Sequence, residues 1–461
     1  MRVLKYLTTG FIAAIFFMQG IIFSQQQIPL GNEPLKITVD QGIELGLKNS
    51  KALHSSSMKV EAADARESEL RTNLLPSVKF TGGYTRLSDV PPAVIGPIQL
   101  SPTMSVGPFP LSPTVLNNYT TKLTVQQPIF TGFKIESGVK AAEYTTRATE
   151  QDYAKDKSDL RYNIQNAYWN LFKAQEFKKV IDENVEQVKG HLADVSSWVS
   201  RGMATINDQL RVEVQLSNAQ LAQIDAKNNV RLAMIALDNV MGISLSTQID
   251  IASVPKELGD STGTNIAPQE SLDMLIGKAR DNRPEIKAMD FRVRAGEAGV
   301  TAGRSGWFPQ LFLVGDYNYA RPNSRIFPTE DNFKDTWDVG VMATWDLWNW
   351  GVSSDQTTQA QAQLAQAHDA SDLLRDGIIL EVTQNYLNVN QASERIGVSA
   401  QAVKQAKENY RVTREKFKAG LALNTDLLDA EAALLQAKTN YTQTLVDFEL
   451  AQARLDKAIG G

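Results

Sequence analysis

The span from Val352 to Ala419 holds no proline, and small or apolar residues recur along it at steps of three and four, from Leu364 and Ala367 through Val382 and Val389 to Thr413 and Phe417. Steps averaging about 3.5 residues are the coiled-coil period. A continuous helix over this span would be about 100 Å long at 1.5 Å per residue. No globular core is that deep, so the chain has to build an elongated bundle. A partner helix follows directly, because Leu427, Leu434, Tyr441, Phe448 and Leu455 keep a strict seven-residue series.

Between these two stretches the helical pattern breaks at Gly420 and resumes at Asn424 with helix-start residues, which predicts a hairpin. The same construction stands 218 positions earlier, where Gly202, Asp208, Leu210, Leu216 and Ala219 match Gly420, Asp426, Leu428, Leu434 and Ala437. The chain is therefore a tandem duplication, with long helices over 132–201 and 207–241 in one half and over 352–419 and 424–459 in the other. Upstream of each pair lies a shorter helical unit. Thr38 and Ser50 are placed to cap two helices that stop at Pro76, and Pro284 and Pro309 open and stop their counterpart. The expected organisation is a first repeat over 25–242, a second over 268–461, and between them a linker at 243–267 lying outside the main helices.

Residues 1–24 carry Arg2 and Lys5, then an apolar run from Phe11 to Phe23, then Ser24, the layout of a secretory signal peptide. That run falls short of the ~20 apolar residues a spanning helix needs, and no later segment reaches that length. There is no cysteine, which excludes disulfides, thiolate metal sites and an N-terminal lipid anchor on cysteine. A net charge of −5 offers no basic surface for nucleic acid.

Each proline stop is followed by strand-like sequence, at about 78–86 and 120–127 in the first repeat and 311–319 and 337–347 in the second. In the last of these Trp337, Val339, Val341, Ala343, Trp345 and Leu347 are apolar, opposite Asp338, Gly340, Thr344 and Asp346. Leu311, Leu313, Gly315, Tyr317 and Tyr319 make a similar face. Such a face suits a soluble sandwich or a membrane barrel. Trp337 and Trp345, eight residues apart, would sit roughly 19 Å apart along the membrane normal in a strand tilted near 45°, which favours the two aromatic girdles of a barrel. Four strands cannot close around a pore, so several chains must share one barrel. The proline-rich segment from Ser88 to Pro113 reads as an external loop.

A duplicated unit of helix, proline stop, strand, loop, strand, long helix, hairpin and long helix, behind a signal peptide, resembles the TolC-type outer-membrane efflux protein family. The resemblance covers about Thr38 to Ile459. It is sharpest at Gln127-Pro128-Ile129-Phe130-Thr131-Gly132 and over the hairpin from Phe417 to Ala430. The family implies an α + β membrane protein forming a homotrimer, with four strands from each chain in one outer-membrane β-barrel and the long helices in a periplasmic α-barrel. It also implies a periplasmic adaptor protein, an inner-membrane pump and outer-membrane lipid as partners, and no cofactor.

By the same resemblance Asp426 and Asp429 match two aspartates that ring the closed periplasmic entrance. Three copies of each would crowd carboxylates around a narrow aperture and attract cations. The plainer reading of Asp426 is a helix N-terminal acid, which any hairpin could use. Asp208 matches a first-repeat aspartate that pairs with an arginine of the second hairpin, and here that arginine position is Ala422. Phe417 stands where the family has a gate tyrosine. Arg201, Arg211 or Lys418 is left to supply the missing base, or closure rests on packing. Arg201, Gly202, Gly420 and Leu421 lie in the hairpins where the family docks its adaptor, and Trp337, Trp345, Tyr317 and Tyr319 form the expected membrane girdle.

His54, His191 and His368 lie on separate helical stretches with no second histidine one turn away, and read as solvated or packed positions rather than metal ligands. The glycine-rich run from Ala295 to Gly306 lacks the ending of a phosphate loop and reads as close helix packing. No nucleophile and base stand together. The expected function is a passive outer-membrane conduit for small-molecule efflux. Its rivals are the exit duct of a protein secretion system and, from another class, a secreted coiled-coil structural protein.

Overall fold

The computed structural model describes residues 35–89, 94–110, 114–255 and 270–461. The expected leader at 1–24, parts of the proline-rich loop (90–93 and 111–113) and the linker beyond residue 255 lie outside the described residues.

After a short strand β1 (Leu35–Ile37), helices α1 (Val39–Asn49) and α2 (Lys51–Thr72) begin at Thr38 and Ser50. Thr38 forms a reciprocal capping box with Gln41, and the Ser50 hydroxyl accepts from the Leu53 amide. Strand β2 (Ser77–Arg86) leads through four short strands, β3 (Val94–Ile95), β4 (Ile98–Ser101), β5 (Met104–Val106) and β6 (Phe109–Pro110), to β7 (Asn117–Phe130). The small strands pair β3 with β6 and β4 with β5, so the proline-rich loop is built of two short ladders.

Helices α3 (Lys134–Ser200) and α4 (Ile206–Met241) form the first long hairpin. Strand β8 (Ile249–Ile251) lies in the linker. The second repeat runs through α5 (Leu272–Asn282), α6 (Pro284–Gly303), β9 (Gln310–Arg321), β10 (Lys334–Thr344), α7 (Val352–Lys418) and α8 (Asn424–Ala458). Both α3 and α7 have 67 residues, and they start 218 positions apart. The three- and four-step series of α7 points inward, with Ile378, Val382, Val389, Ala392 and Phe417 buried, and so do Leu427, Leu434, Phe448 and Leu455 of α8.

Each long helix ends in a glycine motif of the same geometry. The Gly202 amide donates to the Val199 carbonyl and Met203 to Trp198; Gly420 donates to Phe417 and Leu421 to Lys416. Gly202 and Gly420 have φ of 71° and 73°, the left-handed region that closes the last turn. Nothing lies within 4 Å of a Cβ added at either. Gly132, at the passage from β7 to α3, also has positive φ (62°), but a Cβ there would fall 2.6 Å from the Ser305 carbonyl oxygen. Gly202→Ala should therefore cost only the left-handed penalty, about 1–2 kcal/mol. Gly132→Ala should lower the thermal midpoint clearly more, because the strand-to-helix passage must also separate from residues 305–308.

The linker is tied to the helices at mid-height. β8 pairs in parallel with β1, and the buried Tyr168 hydroxyl of α3 donates to the Ile37 carbonyl and accepts from the Ser253 amide at 2.8 Å. Ile164, Leu171, Leu237, Met241 and Ile249 surround it. A second core joins α5, α6, α7 and α8 around Ile286, Val382 and Phe448. At its edge the buried Arg283 guanidinium binds Glu285 at 2.7 Å and Glu381 at 2.5 Å.

One four-stranded antiparallel sheet, in the order β10-β9-β7-β2, stands at one end of the helices. Its last strand is shifted from the expected 337–347. Strand β10 runs Lys334–Thr344 because Thr344 pairs with Gln310, the first residue of β9 after the Pro309 stop, and leaves Trp345, Asp346 and Leu347 with no strand to pair with.

Candidate functional site

The sheet turns its apolar face outward. One cross-strand row is Trp337, Tyr317, Leu123 and Phe80, and the next is Val339, Gly315, Val125 and Val78. On the opposite face Asp338, Asp316, Thr124 and Lys79 share a row, with Thr336, Asn318, Lys122 and Thr81 beside it. Lys122 binds Asp316 at 2.9 Å, Thr124 donates to Asp316 at 2.6 Å, and Arg325 binds Asp338. Phe80 (70%), Trp337 (72%) and Val341 (66%) are exposed. A soluble sheet buries its apolar face; here that face is bare while the polar one is internally paired, the arrangement lipid demands. The strands have 10, 14, 12 and 11 residues, long enough to cross a hydrocarbon core at a tilt. No helix among the described residues is long and apolar enough to cross a membrane.

Aromatic side chains collect at both ends of the sheet. Toward the loops Tyr319 stacks on Phe333 (5.2 Å between centroids), and Tyr119 lies against both Tyr84 and Phe333. At the helix end Phe130, Phe133 and Phe308 meet edge to face, and Trp345, Trp348 and Trp350 are exposed. Tyr317 and Trp337 pair in one row, Tyr319 lies in the next row toward the loops, and Trp345 projects beyond β10. The sequence names Trp337, Trp345, Tyr317 and Tyr319 for a girdle; the aromatic clusters at the two ends of the sheet also take in Tyr84, Tyr119, Phe333 and the phenylalanine triad, for which the crowding of aromatics at strand ends was a usable signal.

At the far end the two hairpins lie side by side, joined along α3 and α8. Asp426 is exposed and its Oδ2 accepts from the Leu423 amide at 2.9 Å, so it caps α8. Asp429, one turn on, is also exposed. Asp208 caps α4, accepting from the Thr205 amide (3.1 Å) and hydroxyl (2.6 Å). Those hydrogen bonds, helped by the charge of Arg211, hold its carboxyl below the usual carboxylate range. Arg211 is thus the base nearest Asp208 in charge effect, while the Asp208 carbonyl accepts from Asn424 Nδ2 at 3.3 Å and ties one hairpin to the other.

Phe417 does not line an aperture. It is 4% exposed, packed on Trp198 (4.5 Å between centroids) and edge-on to His191 (5.2 Å), within a cluster of Val188, Val195, Val212 and Leu427. A side chain enclosed within a single chain cannot face a channel, and nothing in the helical spacing marks Trp198 as its partner. Arg201 and Gly202 end α3, and Gly420 and Leu421 follow α7, all four exposed at the hairpin tips.

The family described as Outer membrane efflux protein matches residues 42–243 and again 275–461, once for each repeat. Outer membrane protein TolC of Vibrio cholerae serotype O1 is 24% identical over 321 residues, covering 69% of this chain and 72% of its own length. Alkaline protease secretion protein AprF of Pseudomonas aeruginosa is 22% identical, covering 74% and 69%. The crystal structure of the outer membrane protein VceC from Vibrio cholerae superposes with a TM-score of 0.74 at 17% identity, over 92% of this chain and 96% of that one. With a lipid-type sheet above paired helical hairpins, the chain belongs to the outer membrane efflux protein family, as an exit channel of the outer membrane.

Proposed function

We propose that the protein is the outer-membrane duct of a tripartite efflux system, a homotrimer through which small molecules pass from an inner-membrane pump and its adaptor to the exterior. The observation that carries this reading is the sheet with an apolar outer face, a polar inner face and two unpaired edges, β2 and β10. Unpaired backbone in lipid costs several kcal/mol per group, so neighbouring copies must complete the barrel. Within the chain β7 of the first repeat pairs with β9 of the second, and the duplication then sets β10 against β2 of the next copy. The helices agree. Exposed apolar stripes run along α4 (Leu210, Val214, Leu221) and α7 (Leu373, Leu380, Leu387), the two helices at the outer edges of the layer.

The tips carry exposed Met203, Ile206, Leu421 and Leu423, which supports docking of a helical adaptor there through Arg201, Gly202, Gly420 and Leu421. Selectivity would rest largely with the pump. Protein export is the second reading, favoured by the relative named for alkaline protease secretion. Nothing in the polar sheet face favours one cargo.

Rings of Asp426 and Asp429 at the entrance should bind multivalent cations. Single-channel recording of the purified protein should show small openings blocked by such a cation from the hairpin side, and the block should weaken at least tenfold in Asp426→Asn/Asp429→Asn. Equal block from both sides, or in both proteins, would remove these residues from the entrance. Asp429→Asn alone separates gating from helix capping, since only Asp426 caps α8.

A further inference from the structure

The two hairpins of the sheet are copies of one another. The pair Ser77–Gln126 of β2 and β7 falls on Gln310–Thr344 of β9 and β10, and Thr85–Asn118 falls on Asn318–Thr336, so β9 repeats β2 at 233 positions and β10 repeats β7 at 218. Toward the helices β7 runs on beyond its own hairpin. There Gln127, Pro128 and Phe130 pair with Leu313, Phe312 and Leu311 of β9, across the seam between the repeats. The equivalent residues beyond Thr344 are Trp345, Asp346 and Trp348, and the register of β10 on β9 stops before them. All three are exposed, and so is every residue of β2, whose free edge repeats the edge of β9 that β7 uses.

The same two offsets carry the β7–β9 register over to the seam between copies. They set Thr344 against Thr81 of the next copy, Trp345 against its Phe80, Asp346 against its Lys79 and Trp348 against its Val78. We propose that residues 345–348 are a docking strand for a second copy of this chain, taking residues 78–80 of that copy's β2, and that Asp346 and Lys79 close the seam as an ion pair. The inference rests on the trimeric reading and assigns its register.

Charge and size both fit. On the polar face Lys122 is paired with Asp316 and Arg325 with Asp338, whereas Lys79 and Asp346 are exposed and, among the described residues, without an ion-pair partner. The matching point of the seam inside the chain holds Pro128 and Phe312, so the ion pair belongs to the seam between copies alone. On the lipid side Trp345 meets Phe80 and continues the apolar face from one copy to the next. Met342, the apolar exception on the polar face, falls beside Gly83, which leaves it room. A slip of one residue would turn the apolar side chains of one copy to the wrong face. A slip of two would set Asp346 against Ser77 or Thr81 and leave both charges unpaired.

The absence of cysteine makes the register directly testable. Within one chain β2 and β10 are the two edges of the sheet, three strand spacings or about 14 Å apart, beyond the reach of a disulfide. A Thr81→Cys/Thr344→Cys chain can therefore be oxidised only to its neighbours. The membrane-embedded protein should form covalent trimers at least about tenfold faster than Thr81→Cys/Met342→Cys, whose positions lie diagonally, about 7–8 Å apart. Asp346→Lys and Lys79→Asp should each speed dissociation of the trimer in detergent by about fivefold per seam, and the two changes in one chain should restore it. If the cysteine chains do not assemble, the charge-swapped chain decides alone. Equal crosslinking of both cysteine pairs, or a charge swap no more stable than either single reversal, overturns the register and leaves the conduit standing. A protein that is monomeric and soluble without detergent removes the conduit reading itself, and the docking strand with it.

Discussion

Val125→Arg is expected to cost about 2–4 kcal/mol of barrel stability, whereas Thr124→Arg, one residue away on the same strand, should cost far less. Val125 lies on the apolar face, paired with Val78 on one side and Gly315 on the other. An arginine there meets hydrocarbon. Thr124 lies on the polar face beside Lys122 and Asp316, where a new cation meets water and a carboxylate. Denaturant titration of the lipid-reconstituted protein measures both. Equal losses at the two positions would mean that the odd-numbered face of β7 does not touch lipid, and the soluble rival would return.

Arg283→Met should be the most damaging change in the helical half, with a loss of about 3–5 kcal/mol. The guanidinium sits at the N-terminus of α6, 6% exposed, and joins Glu285 of its own helix to Glu381 of α7; it also donates to the Ala458 carbonyl at the end of α8. Removing it leaves the part-buried Glu285 without the guanidinium it binds, while half-exposed Glu381 contributes less. Burial pushes the Glu285 carboxyl up, and the hydrogen bonds and charge of Arg283 more than reverse this, leaving it below the usual range. A depressed carboxylate stabilises above its unfolded value and loses that contribution as pH falls through the folded one. Wild type should therefore weaken on acidification below about pH 4.3, and Arg283→Met should show a smaller slope there. Thermal midpoints from pH 3 to 7 provide the comparison. A variant as stable as wild type, with the same slope, would show that the three helix ends are held by packing alone.

The channel character of this chain was legible because it depends on periodicity. Steps of three and four in α7, the heptads of α8, alternation in β9 and β10, and glycines 218 positions apart all persist without knowledge of neighbours. Strand limits were less legible, since β10 ends where its partner β9 begins rather than where alternation stops. At the hairpins, Asp426 and Asp208 stand at positions the sequence marks out, and their carboxylates serve as caps within their own helices. Phe417 takes the gate-tyrosine position through the family resemblance, but its facing direction is set by Trp198 and His191, more than 200 residues away in sequence.

By itself the sequence determined the duplication, the elongated hairpins, the membrane-type strands and the family, because each follows from local spacing. Only the tertiary structure decided that Asn424 ties the two hairpins together and that His191 and Glu431 are shut together between them. Those are contacts between residues more than 200 positions apart, and helical or strand periodicity carries no information about which distant side chain will share a buried site.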